Sequence, residues 1–196
     1  MALTPSTMRA LGTPAPVFSL PDVVTAKTVS LGDFGGKKAL LVMFVCRHCP
    51  YVQHIKHELA RLGKDYAAKD IGLVAISSND AASYPDDAPR SLKAFCEEMR
   101  FLFPFCHDET QNVAKAYTAA CTPDFFLYDG QRRLAYRGQL DGSRPGNGKP
   151  VTGRDLRAAM DAVLEGRPAP RDQKPSVGCN IKWKPGREPA YSGTPS

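Results

Sequence analysis

The chain has 196 residues, 42% of them hydrophobic and 23% charged, which bounds it to a globular protein of one domain with extensions and a sizeable core. Its formal net charge of +6 is uneven: from Gln131 to the end, 13 Lys/Arg stand against 6 Asp/Glu among many prolines and glycines. No base-reading motif or aromatic–basic interleaving accompanies that excess, so nucleic acid is not an expected partner, and no span is apolar and long enough to expect a membrane.

The opening residues, "MALTPSTMRALGTPAPVF", lack the apolar run of a secretory leader, so a cytoplasmic location is expected. Residues 13 to 34 read as a hairpin-like extension in which Pro and Asp interrupt β-branched residues. "KKALLVMFV", 37 to 45, is a continuous apolar run and predicts a central strand covered on both faces. Beyond Pro50 the spacing of Val52, Ile55, Leu59, Leu62 and Tyr66 predicts a helix with one apolar stripe. "IGLVAIS", 71 to 77, predicts a second buried strand, and "SSNDAASYPDDAPR" has the composition of a loop.

A helix carrying Leu92, Phe95, Cys96 and Met99 on one face follows, then a short edge strand at 103 to 106 and a helix at about 110 to 120. "TPDFFLYDG" predicts a strand ending in a turn, and "RRLAYRGQL" alternates as a half-exposed strand does. Thr152 with Asp155 resembles a capping box ahead of a helix bearing Leu156, Ala159, Met160, Val163 and Leu164, closed by Gly166. This order predicts an α/β domain with helices on both faces of the sheet over residues 1–166, including an extension over 1–36. Residues 167–196 then form a Pro/Gly-rich tail packed on the domain. Within the tail, Val177, Cys179, Ile181 and Trp183 alternate as one apolar strand face.

Six cysteines are too few for a disulfide scaffold in a chain of this size. "FVCRHCPYV", 44 to 52, sets Cys46 and Cys49 where a central strand gives way to a helix. A thiol at a helix N-terminus faces the positive end of the macrodipole, which favours thiolate. Arg47 and His48 add cationic neighbours. This pattern predicts Cys46 as nucleophile and the more exposed thiol, with Cys49 one turn inward as resolving thiol. The alternative of a metal site from Cys46, Cys49, His54 and His57 has poor zinc spacing, and both histidines are expected on the solvent side of the helix. No metal and no cofactor is therefore expected. Cys96 and Cys106 read as core residues, whereas Cys121 and Cys179 are candidates for additional redox thiols.

Strand–CxxC–helix followed by Thr122–Pro123 ahead of an apolar strand resembles the thioredoxin superfamily. "PAPVFSLPD", "VAISSND" and "TPDFFLYDGQRRLAYRGQLD" resemble more specifically its alkyl hydroperoxide reductase/thiol-specific antioxidant branch, over roughly residues 14 to 165. The resemblance implies a thioredoxin-like fold with a central mixed sheet and a cis proline at Pro123, in a loop that faces the CxxC. It implies that Thr122 and Pro123 hold a partner's strand by backbone pairing, and a His before the second cysteine is similar to that of oxidising disulfide donors. The implied activity is thiol–disulfide exchange, with an antioxidant function among the implied roles, protein or low-molecular-weight thiols and disulfides as substrates and a thioredoxin- or glutathione-type reductant. Two departures stand out. The internal acidic residue of thioredoxins is replaced by Leu40. The Thr that peroxiredoxins place three residues before the peroxidatic cysteine is Met43 relative to Cys46 and Cys46 relative to Cys49. A thiol peroxidase and a non-catalytic thiol or metal-binding module are the alternative readings.

Overall fold

The computed structural model describes residues 3–192. In chain order the elements are β1 (Leu3–Pro5), β2 (Ser19–Pro21), β3 (Thr28–Ser30), β4 (Ala39–Phe44), α1 (Pro50–Tyr66), β5 (Ile71–Ser77), α2 (Pro89–Met99) and β6 (Phe105–His107). They continue with α3 (Asn112–Tyr117), β7 (Cys121–Thr122), β8 (Asp124–Asp129), β9 (Leu134–Gly138), α4 (Arg154–Leu164) and β10 (Val177–Asn180).

The central sheet has the order β6-β5-β4-β8-β9, with β4, β5 and β6 mutually parallel and β8 and β9 antiparallel. Every residue of β4 is buried because both faces are covered. Ala39, Leu41 and Met43 point to the side packed by α1, α2 and α4, and Leu40, Val42 and Phe44 to the side packed by α3 and by Phe18, Leu20 and Phe34 of the N-terminal extension. A strand buried on both faces reads as an unbroken apolar run, the pattern seen at 37 to 45. This is a thioredoxin-like α/β fold with a central mixed sheet.

Three local expectations are corrected. Residues 132 to 140 do not form a half-exposed strand: Leu134, Tyr136, Arg137 and Gly138 of β9 are all buried. Arg137 escapes exposure by pairing with Asp124 through two guanidinium nitrogens, one at 3.0 Å, and by lying 3.6 Å over the Phe126 ring. The capping box at Thr152 is absent, since α4 starts at Arg154 with Gly153 as its cap at φ 67. Asp141 instead receives the Thr152 and Gly153 N–H groups, both at 2.6 Å, and Asp155 accepts from Gln139. The tail residues 177 to 183 do not share one apolar face: the strand ends at Asn180, and Cys179 and Ile181 join the cores on opposite sides of the sheet.

Asp124 also accepts the Ala120 N–H at 3.2 Å, so the Arg137–Asp124 pair braces the loop on either side of Pro123. Arg137→Ala leaves that carboxylate buried and uncompensated and is expected to destabilise the protein by about 3–5 kcal/mol. Denaturant unfolding of the variant checks this, and a loss well under 1 kcal/mol contradicts the bracing role.

Candidate active site

The site forms where β4 ends, α1 begins and the loop before β8 comes across. The Thr122–Pro123 peptide is cis. Pro50 occupies the first turn of α1, and Cys49, in extended conformation, is its N-cap. The helix therefore begins at the second cysteine, not the first. Cys46 remains on the preceding loop, so the helix-end argument for a stabilised thiolate transfers from Cys46 to Cys49.

The hydrogen bonds agree. Cys46 Sγ lies 3.3 Å from Thr122 Oγ1, and Cys49 Sγ lies 3.1 Å from the Thr122 carbonyl oxygen, to which it donates when protonated. As a thiolate, Cys49 accepts from the Cys46 thiol, the largest influence, and also from the Cys179 thiol and Thr122 hydroxyl, while the Val52 N–H of the first turn adds to them. Together they outweigh burial and bring its pKa down to about 5. Cys46 is shifted the other way, well above the ordinary value, by burial first, then by donating to Cys49 and by the negative charge of Asp87. The expectation that Cys46 is the more exposed thiol is also corrected, because both cysteines are fully buried at 0% exposure.

Between the two cysteines the loop is held by one carboxylate. Asp87, fully buried in the turn ahead of α2, accepts the Arg47 N–H at 2.7 Å, the His48 N–H at 3.2 Å and His48 Nδ1 at 2.5 Å. Asn79 Nδ2 donates to it at 2.7 Å. Burial pushes the Asp87 pKa up, but the bonds from His48, Asn79 and the Arg47 N–H more than offset it, and the net shift is downward. The His48 pKa is raised, chiefly by its bond to Asp87, and the charge of Cys49 adds to this. The imidazole stacks on Tyr84 with ring centroids 5.2 Å apart.

Arg47 does not serve as the expected cationic neighbour of the thiols. Its guanidinium donates to the Ser91 carbonyl and hydroxyl on α2 at 3.0 and 2.8 Å, and Glu98 lies 3.9 Å away. Its contribution to the site is its backbone N–H. His57 is exposed as expected, whereas His54 is half-buried and bonded through Nε2 to Ser143 Oγ at 2.7 Å. Neither belongs to the thiol cluster. Cys46, His48 and Asp87 bring three donor atoms within 4.8 Å of one another, but two of them are already spent on each other in the His48–Asp87 bond.

The remaining cysteines divide. Cys96 and Cys106 are buried, and burial pushes both pKa values up to about 12. Cys121 lies in the cis-proline loop with its thiol 3.6 Å from the Pro123 carbonyl, held protonated chiefly by burial. Cys179 reaches the site from the tail. β10 pairs antiparallel with β7, with Cys179 opposite Thr122 and Asn180 opposite Cys121. The backbone edge expected to hold a partner's strand is therefore taken by the chain's own tail. None of the six cysteines is disulfide-bonded.

The site is thus a strand–helix junction that sets Cys46 and Cys49 against a cis-proline loop on a thioredoxin-like fold. The AhpC/TSA family model matches residues 11–137, and the chain belongs to that family. Among solved structures, it is similar to an uncharacterized conserved protein from Geobacillus kaustophilus, at 54% identity and TM-score 0.93 over 95% of this chain and 98% of that one. A hypothetical protein from Sinorhizobium meliloti 1021 is 50% identical with TM-score 0.92, over 93% of this chain and all, 100%, of its own. The thioredoxin domain of a thiol-disulfide oxidoreductase from Bacteroides vulgatus shares the fold at 22% identity and TM-score 0.56, over 69% and 90% of the two chains. Among curated proteins no sequence match is found.

Proposed function

We propose that the protein is a thiol–disulfide oxidoreductase in which Cys49 is the attacking thiolate. The observation that supports this best is the position of its sulfur: at the cap of α1, ringed by Cys46, Thr122 and Cys179, with its pKa brought down to about 5. Cys49 attacks a substrate disulfide, forms a mixed disulfide and expels a thiolate. A neighbouring thiol of the cluster resolves it. His48 and Asp87 hold the intervening loop beside the cluster. Thr122 orients both sulfurs. Cys121 stays a structural thiol. Substrates are protein or low-molecular-weight disulfides, the reductant is of thioredoxin or glutathione type, and the setting is a reducing cytoplasm in which the activity has antioxidant value.

The test is turnover of glutathione disulfide with a dithiol reductant: the wild-type protein accelerates it in proportion to its concentration. No acceleration above the uncatalysed exchange rate removes the reading. Stoichiometric zinc in the purified protein would point instead to the metal-binding module.

Peroxidase chemistry is expected to be weak. Met43 is fully buried in β4 and has no hydroxyl, and the residue three before Cys49 is a thiol held protonated. Stopped-flow peroxide consumption is expected to stay far below that of dedicated peroxidases, and rates approaching theirs contradict this. Met43→Thr is expected to leave disulfide exchange intact, its exchange rate measured beside the wild type.

A further inference from the structure

We propose that β10 is a built-in substrate strand and that its Cys179 is the thiol that resolves Cys49, so that the working oxidised form carries a Cys49–Cys179 disulfide. This rests on the reading of Cys49 as the attacking thiolate and assigns its partner within the chain.

The first support is register. An extended segment added to a sheet edge is the general way for one chain to present a side chain to another. Here β10 lies on β7, immediately before cis Pro123, with Cys179 facing Thr122. Thr122 is the residue that both CxxC sulfurs contact, Cys46 through its hydroxyl at 3.3 Å and Cys49 through its carbonyl at 3.1 Å. Cys49 and Cys179 share a side-chain hydrogen bond, and Cys46, Cys49 and Cys179 belong to one packed cluster.

The second is how firmly the strand is held. β1 pairs along its other side, Leu3 opposite Cys179. Ser176 Oγ donates to the Pro123 carbonyl at 2.6 Å, the Ile181 N–H to the Ala120 carbonyl at 3.1 Å, and the Lys182 N–H to Asn79 Oδ1 at 2.8 Å. Gly178 makes the approach possible, because a Cβ there would fall 2.0 Å from the Thr122 carbonyl oxygen. Asn79 is also the residue that donates to Asp87, so the strand and the CxxC loop share a support.

The third concerns which thiol attacks. Cys46 is enclosed and faces the Asp87 carboxylate, which opposes ionisation. Cys179 is also raised by burial, to about 12, but the Lys182 ammonium acts to lower it. The charges beside the two neighbours thus differ in sign, a carboxylate by Cys46 and an ammonium by Cys179, which assigns the attack to Cys179 and leaves Cys46 as hydrogen-bond donor to the Cys49 thiolate.

The chemistry balances. Cys49 thiolate attacks a disulfide RSSR, forming Cys49–S–S–R and releasing RS⁻. Cys179 loses its proton to that thiolate and attacks the Cys49 sulfur, forming Cys49–Cys179 and releasing the second RS⁻, which is protonated from solvent. The substrate disulfide gains two electrons and becomes two thiols, and the protein dithiol becomes the disulfide.

The test uses full-length reduced protein treated with glutathione disulfide, quenched with acid, alkylated and mapped by peptide mass spectrometry. Wild type and Cys46→Ser are both expected to yield Cys49–Cys179 with little glutathione adduct. Cys179→Ser, and Gly178→Ala, which retains every thiol while forcing β10 away from Thr122, are expected to accumulate Cys49–glutathione at about tenfold the wild-type level or more, because an intramolecular resolving thiol has been removed or displaced. A Cys46–Cys49 linkage in the wild type, with unchanged adduct in Cys179→Ser, overturns the inference and leaves the oxidoreductase reading standing. An unmodified Cys49 throughout overturns both.

Discussion

Cys49→Ser is expected to abolish disulfide exchange, by on the order of a thousandfold or more, because the hydroxyl left at the cap of α1 stays protonated at neutral pH and is no nucleophile toward sulfur. Cys46→Ser is expected to be much milder, since its hydroxyl still donates to the Cys49 sulfur. Cys46→Ala removes the largest influence on that sulfur and should raise the Cys49 pKa. The order of severity, Cys49 far above Cys46, is opposite to the one that the sequence pattern suggests. Initial rates of glutathione disulfide reduction for the three variants check it, and equal losses at the two cysteines contradict it.

The second large effect is expected at Asp87. Asp87→Ala leaves two loop N–H groups and the His48 imidazole without their shared acceptor in a buried setting, and should cost about 3–5 kcal/mol of stability. The same pair gives a pH signature. His48 has a folded pKa above its ordinary 6.5, so its contribution is complete below 6.5 and is lost as the pH rises through the raised value. Asp87 has a folded pKa below its ordinary 3.8, so its contribution is complete above 3.8 and is lost as the pH falls through the lowered value. The stability added by the pair is therefore greatest between 3.8 and 6.5, and the difference in unfolding free energy between wild type and Asp87→Asn should peak there. A difference that is flat across this range contradicts the ion pair.

What the sequence discloses and what it hides follow from how locally each feature is encoded. The run at 37 to 45 and the stripe from Val52 to Tyr66 are written in adjacent residues, so β4 and α1 are legible. The cap is legible too, but only to a reading that weighs Pro50: proline prefers the first helical position, which makes Cys49 the N-cap and puts Cys46 outside the helix. Asp87 is not legible. It follows Asp86 in a segment of loop composition, and nothing local says that one of these carboxylates closes over Arg47 and His48, 40 and 39 residues earlier. Arg137 is hidden for the same reason, because a buried arginine is specified by Asp124 across the β8–β9 pair and not by its neighbours in the chain. The alternation in the tail correctly announces a strand, but pairing on β7 splits Cys179 and Ile181 between the two cores. Because residues from Ser176 to Lys182 bond to the loop and to Asn79, truncation before Arg167 should lower stability and disturb the site together, and only point variants at 178 and 179 separate the two effects.

The central claim, that the stabilised thiolate is Cys49 at the cap of α1, is tested most directly by titrating the ultraviolet absorbance of the thiolate in the reduced protein, in wild type and in the Cys46→Ser and Cys49→Ser variants. The structure predicts a one-thiolate transition near pH 5 in wild type that survives in Cys46→Ser and vanishes in Cys49→Ser. A low transition that vanishes in Cys46→Ser and persists in Cys49→Ser would contradict it.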